Sequence, residues 1–250
     1  MKNSFAFLFI TIFLLACESE SKLTFETVKL DNNSCSDCPE IKISIPKALD
    51  DTRIAEKINT TINEELIYTL KFEDSLDVAT VEEAIKSFTN SYQSFKKEFS
   101  DETVGWEAQA DGIVCYESPF IVSIQLDTYI FTGGAHGYGA TTFLNFDKSK
   151  SIELEIYHLF KNLEGFIDFA EEQFRETQKI PNQGSINTTG FMFAGDIFHL
   201  PENLGFTKDG IKLIYNQYEV ASYADGPIEL LIQYKEANPF LKDKYKTNSY

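Results

Sequence analysis

The chain has 250 residues, 43% of them hydrophobic, and a formal net charge of −17. That composition excludes an intrinsically disordered chain, and the acidity speaks against nucleic acid, whose phosphates require a basic face. The same charge favours cationic partners and steers them over a distance, besides keeping the protein soluble.

The chain opens MKNSFAFLFITIFLLACESE. Lys2 precedes an apolar run from Phe5 to Ala16, about a dozen residues and too short for a bilayer core of roughly 30 Å. A charged start, a short apolar stretch and a small residue before a cut site predict a signal peptide over residues 1–16. Leu14-Leu15-Ala16-Cys17 resembles the lipobox of bacterial lipoproteins, although Leu15 stands where a smaller residue is commoner. The resemblance implies acylation of Cys17 and attachment to a membrane rather than passage through it. In the alternative, an ordinary signal peptide is cut and Cys17 is incidental. Removal of residues 1–16 leaves 21 basic against 39 acidic side chains, a net −18. Residues 17–34 are polar and read as a tether. The acidic run just after Cys17 resembles the surface-export signals of lipoproteins in some Gram-negative groups.

Cys35, Cys38 and Cys115 complete the cysteine count. Cys35-Ser36-Asp37-Cys38 has the C-x-x-C spacing, but no helical pattern follows and no second pair exists, so neither a redox nor a zinc site is supported. A structural bridge in an oxidising compartment is expected, either Cys35–Cys38 or one of these with Cys115.

Residues 40–46 alternate as a half-buried strand, which Pro46 is expected to close. Ile54, Ile58, Ile62 and Leu66 recur every four residues and predict an amphipathic helix between Asp51 and Leu70. Thr80 and Glu83 form a capping box. Behind it Val81, Ile85, Phe88, Tyr92, Phe95 and Phe99 mark a second helix with an aromatic core stripe. The period then becomes two. Residues 106–131 contain strands with expected breaks at Asp111-Gly112 and Ser118-Pro119. Residues 141–147 and 152–156 read as further strands. Leu163 to Phe174 predicts a third helix, 181–190 is loop, and 211–215 and 228–234 are strands. The fold class is therefore α+β: mostly antiparallel sheets with two N-terminal helices and one later helix, in two small subdomains. The expected domains are 35–150 and 151–242, with a charged tail at 243–250.

Residues 133–139 hold four glycines and one of the three histidines. No lysine completes a P-loop, and the glycine spacing misses the dinucleotide fingerprint. Glycines between alternating strands supply positive φ angles, so Gly133, Gly134, His136 and Gly137 are read as a wide hairpin turn, with the imidazole as a turn-stabilising group. His136, His158 and His199 show no metal-ligand spacing, and no G-x-S-x-G elbow is present. No metal or cofactor is expected. Among 39 acidic residues no pair stands out as a glycosidase couple.

Residues 129–147, then 152–160, then 206–234 resemble in sequence and order the DUF3298/DUF4163 domain family, paired domains found outside the bacterial cell membrane. The runs TGGAHG and Tyr218 to Gly226 carry the resemblance, which covers roughly residues 38–240. One such pair forms the extracellular part of a lysozyme-sensing anti-sigma factor, and another precedes the catalytic domain of a peptidoglycan deacetylase. The resemblance implies a DUF4163-like domain at 35–150 and a DUF3298-like domain at 151–242. It further implies a binding module of the cell envelope, facing periplasm or cell surface, with a lysozyme-like protein or peptidoglycan as partner. Tyr218, Tyr223 and Asp225 are candidate binding residues, since tyrosines anchor interfaces. The alternatives are a structural envelope component, or a cell-wall hydrolase using His136 and the carboxylates of Asp127 and Asp147. The hydrolase requires these three to converge on one open cleft.

Overall fold

The structure is a computed structural model and describes residues 22–31, 37–71, 78–101 and 103–247. The segment 1–16, Cys17 and Cys35 lie outside the described residues. Six strands form the first sheet in chain order: β1 (Phe25–Asp31), β2 (Glu40–Ala48), β3 (Glu107–Glu117), β4 (Ile121–Phe131), β5 (Tyr138–Asp147) and β6 (Ile152–Glu153). Three form the second: β7 (Asn203–Phe206), β8 (Ile211–Tyr215) and β9 (Ile228–Ile232). All named pairings are antiparallel except β2–β3. Those two run parallel because the helices α1 (Arg53–Leu70) and α2 (Val81–Glu98) carry the chain back between them. The chain is α+β.

The Thr52 side chain caps α1, which buries Ile54, Ile58, Ile62 and Leu66. Thr80 and Glu83 close the capping box of α2. Phe88, Tyr92 and Phe95 of α2 surround Trp106, with ring centroids 5.5, 5.7 and 5.5 Å away. In the second half, α3 (Ile156–Leu159), α4 (Leu163–Thr177) and α5 (Tyr234–Ala237) surround the smaller sheet. Phe166, Ala170 and Phe174 of α4 are fully buried there.

The β4–β5 hairpin serves both halves. Val122, Ile124, Leu126, Leu144 and Phe146 face the core shared with α1 and α2. The alternate positions face the smaller sheet. Ile121 joins its core, Asn145 Nδ2 donates to Leu204 O at 2.7 Å, and Phe206 N donates to Ser123 Oγ at 3.3 Å. Two cores thus share one hairpin, one on each face of the pleat.

Several expectations need correction. The tether contains β1, an edge strand whose inward residues Phe25, Val28 and Leu30 rest on β2. Pro46 does not end β2. It lies within the strand opposite Thr27, where pairing with β3 has already stopped at Ser44. Its ring Cδ, which stands where an amide hydrogen would be, points at Gly112, and a Cβ there would sit only 2.8 Å away. That contact accounts for Gly112 in β3. Asp111-Gly112 is accordingly no break, and the ladder runs through it with a bulge between Val114 and Tyr116. Only Ile152–Glu153 of the expected strand 152–156 pairs. The tail is anchored: Tyr245 is 2% exposed, and Lys244 and Tyr245 both reach the carboxylate of Asp147.

Candidate functional site

Residues 132–137 connect β4 to β5 as the expected hairpin turn. Gly133 (φ +98°) and Gly134 (φ +87°) turn the chain through a region that side chains disfavour. Gly137 serves close approach instead: a Cβ would lie 2.4 Å from the Tyr129 ring.

The strand beyond this turn has an open outer edge, and the segment after β8 covers it. Thr141 N donates to Asn216 Oδ1 at 2.8 Å, and Asn216 Nδ2 donates to Thr141 O at 3.1 Å. The Asn216 amide thus stands in for a neighbouring strand. Gly139 N lies 3.5 Å from Gln217 Oε1. This clamp brings residues 216–226 against the glycine turn.

There the two motifs meet, although about 80 residues separate them along the chain, as the 82-residue span between His136 and Tyr218 shows. The His136 ring stacks on Tyr223 at 3.7 Å between centroids and 20° between planes. Gly137 O accepts from the Tyr223 hydroxyl at 3.0 Å and faces His136 Nδ1 at 3.1 Å. A carbonyl only accepts, so Nδ1 carries the proton. Nε2 faces the Tyr218 hydroxyl at 3.4 Å. Tyr218 is 57% exposed and has φ +70°, a left-handed conformation uncommon for an aromatic residue. Asp225 accepts from Ser222 N at 3.1 Å and from Ser222 Oγ at 2.6 Å, so its carboxylate closes the turn that presents Tyr223. Tyr138 and Glu219, both exposed, border the cluster. Burial, then the negative charge of Glu219, push the Tyr138 hydroxyl pKa up. Burial likewise raises the Glu219 carboxyl, against hydrogen bonds from Asn216 that lower it.

The residues required of a hydrolase are not brought together. Asp127 lies four residues before the end of β4, roughly 13 Å from the turn at about 3.3 Å per residue, and its carboxylate is engaged by Thr141 Oγ1 at 2.6 Å and Gln125 Nε2 at 2.8 Å. Asp147 closes the far end of β5, roughly 30 Å by the same rise from Tyr138 at its start. Its side chain is 0% exposed and ion-paired with Lys244. Burial pushes that carboxyl up, but hydrogen bonds from Lys244, Ser149 and Tyr245 outweigh it and hold the pKa at about 2. The alternative built on His136 with Asp127 and Asp147 therefore fails on geometry. Among the described residues no group of three His, Cys, Asp or Glu side chains is placed to hold a metal, and no helix is long and apolar enough to cross a membrane.

Cys115 is not a bridging cysteine. It is a free thiol whose Sγ lies 3.3 Å from the carbonyls of both Ser123 and Phe206, and burial pushes its pKa up to about 12. Cys38 is disulfide-bonded, with its partner outside the described residues.

Residues 32–138 match the family described as deacetylase PdaC, and residues 158–235 match the family of unknown function DUF3298. Two successive stretches of the chain thus resemble these two families. The glycine turn lies at the end of the first match, and the Tyr218–Gly226 segment lies inside the second. The His136–Tyr223 stack therefore joins the two matched stretches. Two solved structures share the fold. A DUF3298 family member from Bacteroides fragilis superimposes with a TM-score of 0.66 at 21% identity, covering 88% of this chain and 94% of its own. A DUF3298 family protein from Pseudomonas aeruginosa gives 0.65 at 20% identity, covering 92% and 99%. No curated protein matches.

Sequence reasoning singled out His136, Tyr218 and Tyr223 but missed the clamp residues Asn216 and Gln217. Their signal was a pair of carboxamides directly after the apolar strand 211–215.

Proposed function

We propose that the protein is a binding module of the bacterial cell envelope, tethered by lipid at Cys17. Its partner is a lysozyme-like protein or a cell-wall glycan. The observation that carries this reading is the aromatic cluster of exposed His136 and Tyr218 with half-buried Tyr223, assembled from both matched stretches. Tyr218 is solvent-facing in a left-handed conformation that costs about 1–3 kcal/mol. Such strain at an exposed side chain is what a presented contact residue would carry. Tyrosines offer apolar area and a hydroxyl to a protein surface or a sugar ring alike. The net charge of −17 draws a basic protein toward this surface when salt is low.

The test is titration of the protein with a basic lysozyme at low ionic strength, in parallel with soluble peptidoglycan fragments. Saturable binding at micromolar concentration that is lost in Tyr218→Ser supports the reading and identifies the partner class. Absence of binding to both overturns it.

A further inference from the structure

The outer edge of β5 is covered one register position at a time, and one position is left open. Outward-facing backbone groups recur at alternate residues of an antiparallel strand. Gly139 meets Gln217 and Thr141 meets Asn216. Asn145 O accepts from Leu154 N at 2.7 Å, and Asp147 O accepts from Ser151 N at 2.8 Å. Phe143 belongs to the same series, opposite Gln125 in the ladder. No described residue pairs with its outward N–H and C=O. Phe143 lines a groove of about 420 Å³ between the first sheet and β7, together with the apolar Leu154 and Leu204. Glu153, Glu155 and Glu202 line it together with Tyr157, which is 59% exposed.

We propose that this groove docks an extended cationic peptide segment of a partner protein. The segment's backbone bridges Phe143, and its Lys or Arg side chains lie against the three glutamates. A backbone donor and acceptor side by side on one outward-facing residue match one residue of an extended chain, as in strand addition at a sheet edge. The charge selects the occupant. Among the described residues, Lys57 is the cation paired to this rim, at 3.5 Å from Glu153. Glu65 stands close enough for the charges of Glu153 and Glu64, after burial, to push its carboxyl pKa up. The chain's own undescribed segments do not fit: apart from Lys2, residues 1–21, 32–36, 72–77, 102 and 248–250 contain no lysine or arginine. The site is distinct from the His136–Tyr218–Tyr223 cluster and does not depend on its role.

The probe is a fluorescent hexapeptide alternating lysine and valine, together with the same peptide N-methylated at its central residues. Both are titrated by anisotropy into the full protein at low salt. Saturable binding is expected, weakened roughly tenfold in Glu155→Gln/Glu202→Gln, weakened similarly by N-methylation, and unchanged in Tyr218→Ser. Hydrogen exchange should slow at the Phe143 amide when the unmethylated peptide is added. No saturable binding overturns the proposal. So does binding insensitive to the double substitution, or binding equal for both peptides with no protection at Phe143, which would be charge attraction without docking. Loss of lysozyme or glycan binding in Tyr218→Ser with peptide docking intact would separate the two sites.

Discussion

Replacing Asp147 by asparagine should loosen the clasp between the C-terminal segment and the first sheet. The carboxylate accepts from Ser149 N at 3.0 Å, Ser149 Oγ at 2.6 Å, Lys150 N at 3.1 Å and the Tyr245 hydroxyl at 2.9 Å, and it pairs with Lys244. These donors hold its pKa at about 2, below the ordinary 3.8. A depression of that size is worth about 2 kcal/mol at neutral pH. Asparagine keeps one acceptor oxygen but turns an NH₂ toward Lys244 or Tyr245, donor against donor, so the total loss should be about 2–4 kcal/mol. For a chain of this size that lowers Tm by roughly 5–15 °C. The pH dependence has a definite sign. A depressed carboxylate contributes fully above its unfolded value of 3.8, and that contribution disappears as pH falls through about 2. Urea unfolding of both proteins at pH 7 and near pH 2.5 measures the difference. A gap that is large at pH 7 and shrinks in acid is expected. A gap under about 0.5 kcal/mol at pH 7, or one that does not change with pH, would show that Asp147 is not an ionised anchor.

Gly137→Ala places a methyl group against the Tyr129 ring and should destabilise by about 1–3 kcal/mol; denaturant unfolding reads the loss, and wild-type stability would refute the close contact. Tyr218→Gly removes a side chain from a left-handed backbone and should raise stability by about 0.5–1 kcal/mol while abolishing partner binding, a trade visible only when both are measured. Cys115, with its thiol raised to about 12, should resist iodoacetamide at pH 8 in the native protein and react on unfolding, as peptide mass mapping of that residue would show.

The parts legible from sequence are those with a strong local period or cap. Both long helices fall where Ile54 to Leu66 and the Thr80–Glu83 box place them. The glycine turn joins two strands as its spacing requires. Edge and interface elements were harder. Phe25, Val28 and Leu30 do not alternate strictly, so β1 looked like tether, and its register comes from β2. Asn203–Phe206 is four residues long with a central glycine and has no readable pattern, yet it pairs with β8 and packs on the main sheet. The charged end looked solvated because the partner of Lys244 lies 97 residues upstream. The cluster was half visible. His136, Tyr218 and Tyr223 stood out as residue types, but their meeting depends on Asn216 reading the backbone of Thr141.

The two-faced β4–β5 hairpin has a consequence for how the molecule tolerates change. Strand pleating alternates sides strictly, so a single residue gained or lost in the middle of β5 would rotate Leu144 and Phe146 out of one interior and carry Asn145 out of the other. Most indels in a surface strand spoil one neighbourhood. Here one would spoil both halves together, which makes this hairpin the segment least free to drift in length.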